Sequence, residues 1–138
     1  MQSRVNVSRY IYAVVVSIFA IGILTQVYLV GLSLLGRRPS WDAHINLGHT
    51  LGAAALLMIV LAYLGKLPYP MKPLSWVAFV TYVLLADIVI FMKDSTPAVA
   101  ALHPVLAVLL FGVVGYLTVR AWRLVRTAEL NVISQPST

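Results

Sequence analysis

The chain has 138 residues, of which 61% are hydrophobic and only 10% charged, with a formal net charge of +6. An ordinary soluble domain carries about 45–50% apolar and about 25% charged residues, so that class is excluded, and so is intrinsic disorder. There is no cysteine, which removes disulfides, thiolate metal sites, iron–sulfur clusters and covalently attached c-type haem; the length allows one domain.

In chain order, four apolar segments stand out, over about 10–35, 41–64, 74–92 and 98–120. Each approaches or exceeds the roughly 20 residues that a helix needs to cross about 30 Å of hydrocarbon. None alternates as a membrane strand of about 9–11 residues does. The first segment carries no charge and is followed by Gly36, a C-terminal glycine signal. Ser40 is a candidate N-cap before Trp41, and Thr96-Pro97 reads as N-cap and first helical residue of the last segment. Between the second and third segments, Pro68, Pro70 and Pro73 break any helix. Short connections make neighbours antiparallel. The expected fold is therefore all-α, a four-helix transmembrane bundle running up-down-up-down within one membrane domain. The polar tail over 127–138 is expected to fray.

The Lys and Arg residues set the orientation. Arg4, Arg9, Lys66, Lys72, Arg120, Arg123 and Arg126 fall on one side, and Arg37, Arg38 and Lys93 on the other. Seven against three puts both termini in the cytoplasm of a multi-pass protein of a bacterial-type inner membrane. The positive charge is thus a matter of topology and lipid contact, and no nucleic-acid partner is implied. Trp41, Trp76 and Trp122 fall near helix ends, as interfacial tryptophans do. The first apolar run is too long for a cleaved signal peptide.

Polar groups inside a bilayer are costly, so their positions are informative. At 1.5 Å per residue, His44, His49, His103, Asp87 and Gln26 lie roughly 5, 12, 8, 8 and 13 Å below the outer end of their helices. Four helices thereby contribute to one layer of one leaflet. Two imidazoles on the diagonal helices two and four can serve as the axial ligands of a b-type haem. The preferred pair is His49 with His103, and His44 with His103 is the second choice. His44 and His49 diverge by about 140° around their helix, so they do not share a face. Gly52 and Ala53 below His49, and Ala107 below His103, would leave room for a macrocycle. Gly48-x-x-x-Gly52 is equally a close-packing pattern between helices. Arg37 and Arg38 would receive the propionates, with Gln26 and Asp87 orienting the imidazoles. Pro104 would bend the last helix near His103.

Other readings stand beside this one. Asp87 also suits a structural ion pair with a histidine, or snorkelling near Lys93. The His/Asp layer also suits a bare Zn²⁺, Fe²⁺ or Cu²⁺, although no H-x-x-x-H or H-E-x-x-H spacing occurs. A proton relay has no distinguishing feature. No set of side chains reads as catalytic.

The segment Trp41-Asp42-Ala43-His44-Ile45-Asn46-Leu47-Gly48-His49, with Leu102-His103-Pro104 and Thr25-Gln26-Val27-Tyr28-Leu29-Val30-Gly31, resembles an uncharacterised family of small four-helix bacterial membrane proteins. That resemblance implies the fold, draws attention to Gln26, His44, His49 and His103, and implies no activity. His44-Ile45-Asn46-Leu47-Gly48 is also similar to the membrane cytochromes of the b561 type, which hold haem b between helix-borne histidine pairs. Members with two haems use four histidines, whereas this chain has three, so at most one haem is implied. The expected function is a single-haem membrane cytochrome passing electrons to a redox partner, or serving a larger membrane complex, near the outer face. The alternatives are an accessory or structural membrane protein, a non-haem metal-binding membrane protein, and a transporter. The last would need an oligomer, since no pair of broken helices marks a midplane site. The oligomeric state is not readable from the chain.

Overall fold

The computed structural model describes residues 2–36 and 41–133. Among them there is no strand. Four helical runs form the fold: α1 (Gln2–Leu34), α2 (Trp41–Leu64), α3 (Met71–Val83) and α4 (His103–Ile133). A π-helical turn, Leu84–Ile88, and one further α-turn, Val89–Phe91, prolong α3. A single turn, Pro97–Ala100, precedes α4. Each helix packs on its two neighbours, α1 on α2 and α4, and α3 on α2 and α4. The result is an up-down-up-down square with α2 and α4 on a diagonal. We term the end that holds the α1 N-terminus and the α4 C-terminus proximal, and the opposite end distal.

Three helical segments are long and apolar enough to cross a membrane: Arg4–Leu34, Trp41–Leu64 and Pro97–Ala128. The α3 run, from Met71 to Phe91, is about 30 Å long if measured at helical rise. Both faces of these helices are apolar. On α1, Tyr12, Val16, Phe19 and Ile23 are buried while Ile11, Ile18, Ile21 and Leu24 are exposed. Such all-round apolarity belongs to helices solvated by lipid.

The core is built from one repeated spacing. Its seams are Tyr12, Val16, Phe19 and Ile23 on α1, and Leu51, Ala55, Met58 and Ala62 on α2. Those of the other pair are Met71, Ser75, Ala78 and Tyr82 on α3, and Leu110, Val114, Leu117 and Ala121 on α4. Each seam steps by four, three and four residues, the spacing that left-handed bundle packing at small crossing angles requires. The one polar seam residue is paired: the Ser75 hydroxyl lies 2.8 Å from the Tyr12 hydroxyl and 2.9 Å from the Met71 carbonyl.

Besides α3, which begins at Met71 and takes in Pro73, expected to break any helix, at a first-turn position where the missing N–H costs nothing, helix ends differ from expectation in three places. First, α1 begins at Gln2 rather than near residue 10. Its polar first turns are anchored, because Val5 is buried and Arg9 Nε donates to the Gly65 carbonyl at 2.8 Å. Second, α4 continues to Ile133, past the expected end at 120 and into the segment expected to fray. Thr127 bonds the Arg123 carbonyl there, and Ala128 and Leu130 are good helix formers. At 33 and 31 residues, α1 and α4 are about 45–50 Å long, more than the roughly 30 Å of a bilayer's hydrocarbon requires. Third, Pro104 does not bend α4. The chain breaks at Ala101–Leu102, and Pro104 falls in the first turn of α4, where its missing N–H costs nothing.

The C-terminus of α2 is closed by main-chain bonds from Lys66 N to the Tyr63 carbonyl and from Leu67 N to the Ala62 carbonyl, with Lys66 at φ 46° and Leu67 buried. Gly36 ends α1 at φ 65°. Ser40 lies outside the described residues.

Candidate functional site: a histidine pair at the distal end

The distal ends of all four helices meet in one polar cluster. His44, in the first turn of α2, directs Nδ1 to the Gln26 carbonyl of α1 at 3.4 Å. His103, the first residue of α4, directs Nδ1 to the Leu85 carbonyl at 3.0 Å. A carbonyl only accepts, so each Nδ1 carries the proton and each Nε2 is left as a lone-pair donor. The two ring centres are 6.2 Å apart, with the planes at 57°. Trp41 closes on His44 edge-to-face at 5.8 Å. Two imidazoles from diagonal helices therefore stand side by side, and both are oriented by main chain.

The Leu85 carbonyl belongs to the π-helical turn. A π turn admits one extra residue and redirects carbonyls away from the regular i→i+4 ladder, and such turns recur at functional sites. Here the turn supplies the acceptor that fixes His103.

Below the pair the bundle is closed. A Cβ on Gly48 would lie 2.9 Å from Gln26 Nε2, and one on Gly52 would lie 2.9 Å from the Tyr82 hydroxyl oxygen. The two glycines are notches, the first filled by an amide and the second by a phenol. Tyr82 also donates to the Gly48 carbonyl at 2.7 Å and meets Phe19 at 6.2 Å. Gly52→Val should therefore cost about 1–3 kcal/mol, since the tethered phenol cannot retreat; thermal unfolding in detergent would measure this.

The expected site residues fare differently. His44 and His103 come together. Gln26 joins them through its main chain, and its side-chain Oε1 is buried with no hydrogen-bond partner. His49, the preferred ligand, is exposed. The cause is the five-residue separation: once His44 faces inward, His49 is turned about 140° away. Asp87 is also exposed, on the π turn, and bonds neither histidine. Its place on the π turn sets its azimuth outward, away from both imidazoles. Lys93 pairs with Asp94 at 2.8 Å, not with Asp87. The room expected for a macrocycle at Gly52 and Ala53 is absent there, because Tyr82 fills the first notch and Ala53 is exposed. Arg37 and Arg38 lie outside the described residues. Among the described residues, no group of three or more His, Cys, Asp or Glu converges as a metal site.

Sequence reasoning missed Leu85, whose contribution is a main-chain atom, and gave Tyr82 no place in the site. One signal was available. The separation from Gln26 to His44 is 18 residues, and so is that from Leu85 to His103. Each hairpin thus repeats one device, a histidine at the head of its second helix bonded to a carbonyl near the end of its first.

These features define a class: an all-helical bundle with helices of membrane-spanning length and an adjacent pair of histidines at one end. A family model, that of a family of unknown function (DUF6220), matches residues 26–90. The matched segment begins at Gln26 and includes His44, Tyr82, Leu85 and Asp87, while His103 lies beyond it. No curated protein and no solved structure matches the chain.

Proposed function

We propose that the protein is a multi-pass protein of a bacterial-type cytoplasmic membrane with both termini in the cytoplasm. In this reading, His44 and His103 hold one b-type haem at the outer end for electron exchange with a partner. The observation that carries it is the geometry of the pair. Two imidazoles that held one metal between them would have ring centres about 6 Å apart, from about 2 Å per nitrogen–metal bond and about 1 Å from nitrogen to ring centre. The rings of His44 and His103 are 6.2 Å apart, with both Nδ1 atoms engaged on carbonyls, as is usual for ligating histidines.

The number of donors favours haem over a bare cation. A structural or catalytic Zn²⁺ takes three or four protein ligands, whereas haem iron brings four nitrogens of its own and asks the protein for two. Among the described residues the pair stands without a third His, Cys, Asp or Glu. The Oε1 of Gln26, whose main-chain carbonyl holds His44, is buried with no hydrogen-bond partner. When bound, the group would supply one-electron chemistry. The chain's own part is to fix two imidazole tautomers by main-chain carbonyls and to seal the site from below with Gln26 and Tyr82. The orientation rests on the Lys and Arg count, since the proximal end carries Arg4, Arg9, Lys66, Lys72, Arg120, Arg123 and Arg126.

The test is spectroscopic. Protein purified in mild detergent from haem-replete cells is expected to give a b-type α-band on dithionite reduction, with about one iron per chain. A colourless preparation without iron would overturn the reading. Bound metal without a porphyrin spectrum would replace haem by a two-histidine metal ion site.

A further inference from the structure

The outward face of α2 carries a second polar group that the histidine pair does not use. Asn46, His49 and Thr50 are all exposed, and Ala53 continues the same stripe one turn below His49. At helical rise, Asn46 and His49 lie about 8 and 12 Å below the start of α2, within the depth of the hydrocarbon. Thr50 satisfies its hydroxyl on the Asn46 carbonyl at 2.9 Å. The Asn46 amide and the His49 imidazole bond nothing within the described chain. The exposed faces of α1 and α4 are unlike this one: Ile18, Ile21 and Leu24 on α1, and Val105, Val108 and Leu109 on α4, are apolar. Lipid cannot hydrogen-bond an amide or an imidazole, so a face of this kind calls for a protein neighbour.

We propose that this face of α2 is the contact between two copies of the chain, related by a two-fold axis along the membrane normal. Copies inserted in the same direction can be related in a closed pair only by such an axis, and it sets the two α2 helices side by side and parallel. Each residue near the axis then meets its own equivalent, so the interface must be self-complementary. A carboxamide carries both donors and an acceptor, and a neutral imidazole carries one of each. Asn46 can therefore bond Asn46 of the second copy reciprocally, and His49 can bond His49 or Thr50 of the second copy. A lone lysine or aspartate in those positions would repel its equivalent instead. Ala53 supplies the small residue that lets helix backbones approach in lipid. A single asparagine in a helix–helix seam is also the best attested device for fixing register and oligomeric state.

The absence of cysteine makes the test clean. Ala53→Cys leaves all three polar side chains in place and puts a thiol on the seam, where a disulfide needs Cβ atoms about 3.5–4.5 Å apart. Oxidation in native membranes should give a band of twice the chain mass, at least about tenfold stronger than with Val108→Cys on the exposed face of α4. Adding Asn46→Leu and His49→Leu to Ala53→Cys should weaken that band about tenfold, since leucine suits lipid but cannot bond across the seam. Equal bands from Ala53→Cys and Val108→Cys would overturn the proposal. So would an Ala53→Cys adduct with a different protein, or a band indifferent to the two leucines. None of these residues belongs to the histidine pair, and far-UV circular dichroism of the leucine variant checks its folding without reference to haem. The dimer and the haem reading can therefore fail separately.

Discussion

His103→Ala and His44→Ala are each expected to abolish the b-type α-band, lowering bound haem more than about tenfold, while His49→Ala leaves it intact. The contrast comes from the orientation of α2. His44 and His103 each have Nδ1 on a main-chain carbonyl and stand 6.2 Å apart, whereas His49 is turned outward. In the haem reading, loss of either imidazole would remove one of the two residues that would hold the group, and no group of three or more His, Cys, Asp or Glu converges among the described residues to substitute. Titrating haemin into each detergent-purified variant and recording reduced spectra would check this. If His49→Ala loses the band and His44→Ala keeps it, the pairing is wrong even if haem binds. Glutamine at position 44 would be a milder probe, since it retains a hydrogen bond without an imidazole.

Phe19→Ala is expected to destabilise the bundle by about 2 kcal/mol, with Ile18→Ala as a near-neutral comparison. Phe19 is fully buried and packs edge-on against Tyr82, while the adjacent Ile18 is 57% exposed. The size of the effect depends on the medium. In water, burying a phenylalanine gains transfer free energy as well as packing. In lipid the separated helix is already solvated by hydrocarbon, so only packing is gained. Removing about 100 Å³ of ring at about 24 cal/mol per Å³ gives the estimate. Unfolding in detergent followed by circular dichroism would measure it. A loss near 5 kcal/mol would mean that transfer from water contributes after all. No difference between the two variants would mean that the seam through Phe19 is not the core.

How much of the site was legible depends on what kind of atom each part uses. The histidines and Gln26 are rare polar residues in an apolar chain, so any reading of the sequence finds them. The preference for His49 over His44 was not forced by the sequence, because both lie at acceptable depth and the helix can be rotated to favour either. That rotation is set by the Leu51, Ala55, Met58 and Ala62 seam. The Leu85 carbonyl was invisible because every residue has one, and Leu84-Leu85-Ala86-Asp87-Ile88 carries no mark of a π turn. Asp87 was drawn toward the histidines on depth alone, and depth says nothing of azimuth.

Taken alone, the sequence determined that this is an all-α chain with helices of membrane-spanning length, and at which end the polar residues gather. Those properties follow from the lengths of uncharged runs and from where prolines and charges interrupt them. Both are one-dimensional quantities. Only the tertiary structure decided which face of each helix turns inward. In a soluble helix the apolar stripe gives that answer in the sequence. Here lipid accepts the same residues as the core does, so both faces are apolar and the stripe disappears. What remains to choose the inward face is the fit of the four-three-four seams and of the notches at Gly48 and Gly52, which exists only once the helices are side by side.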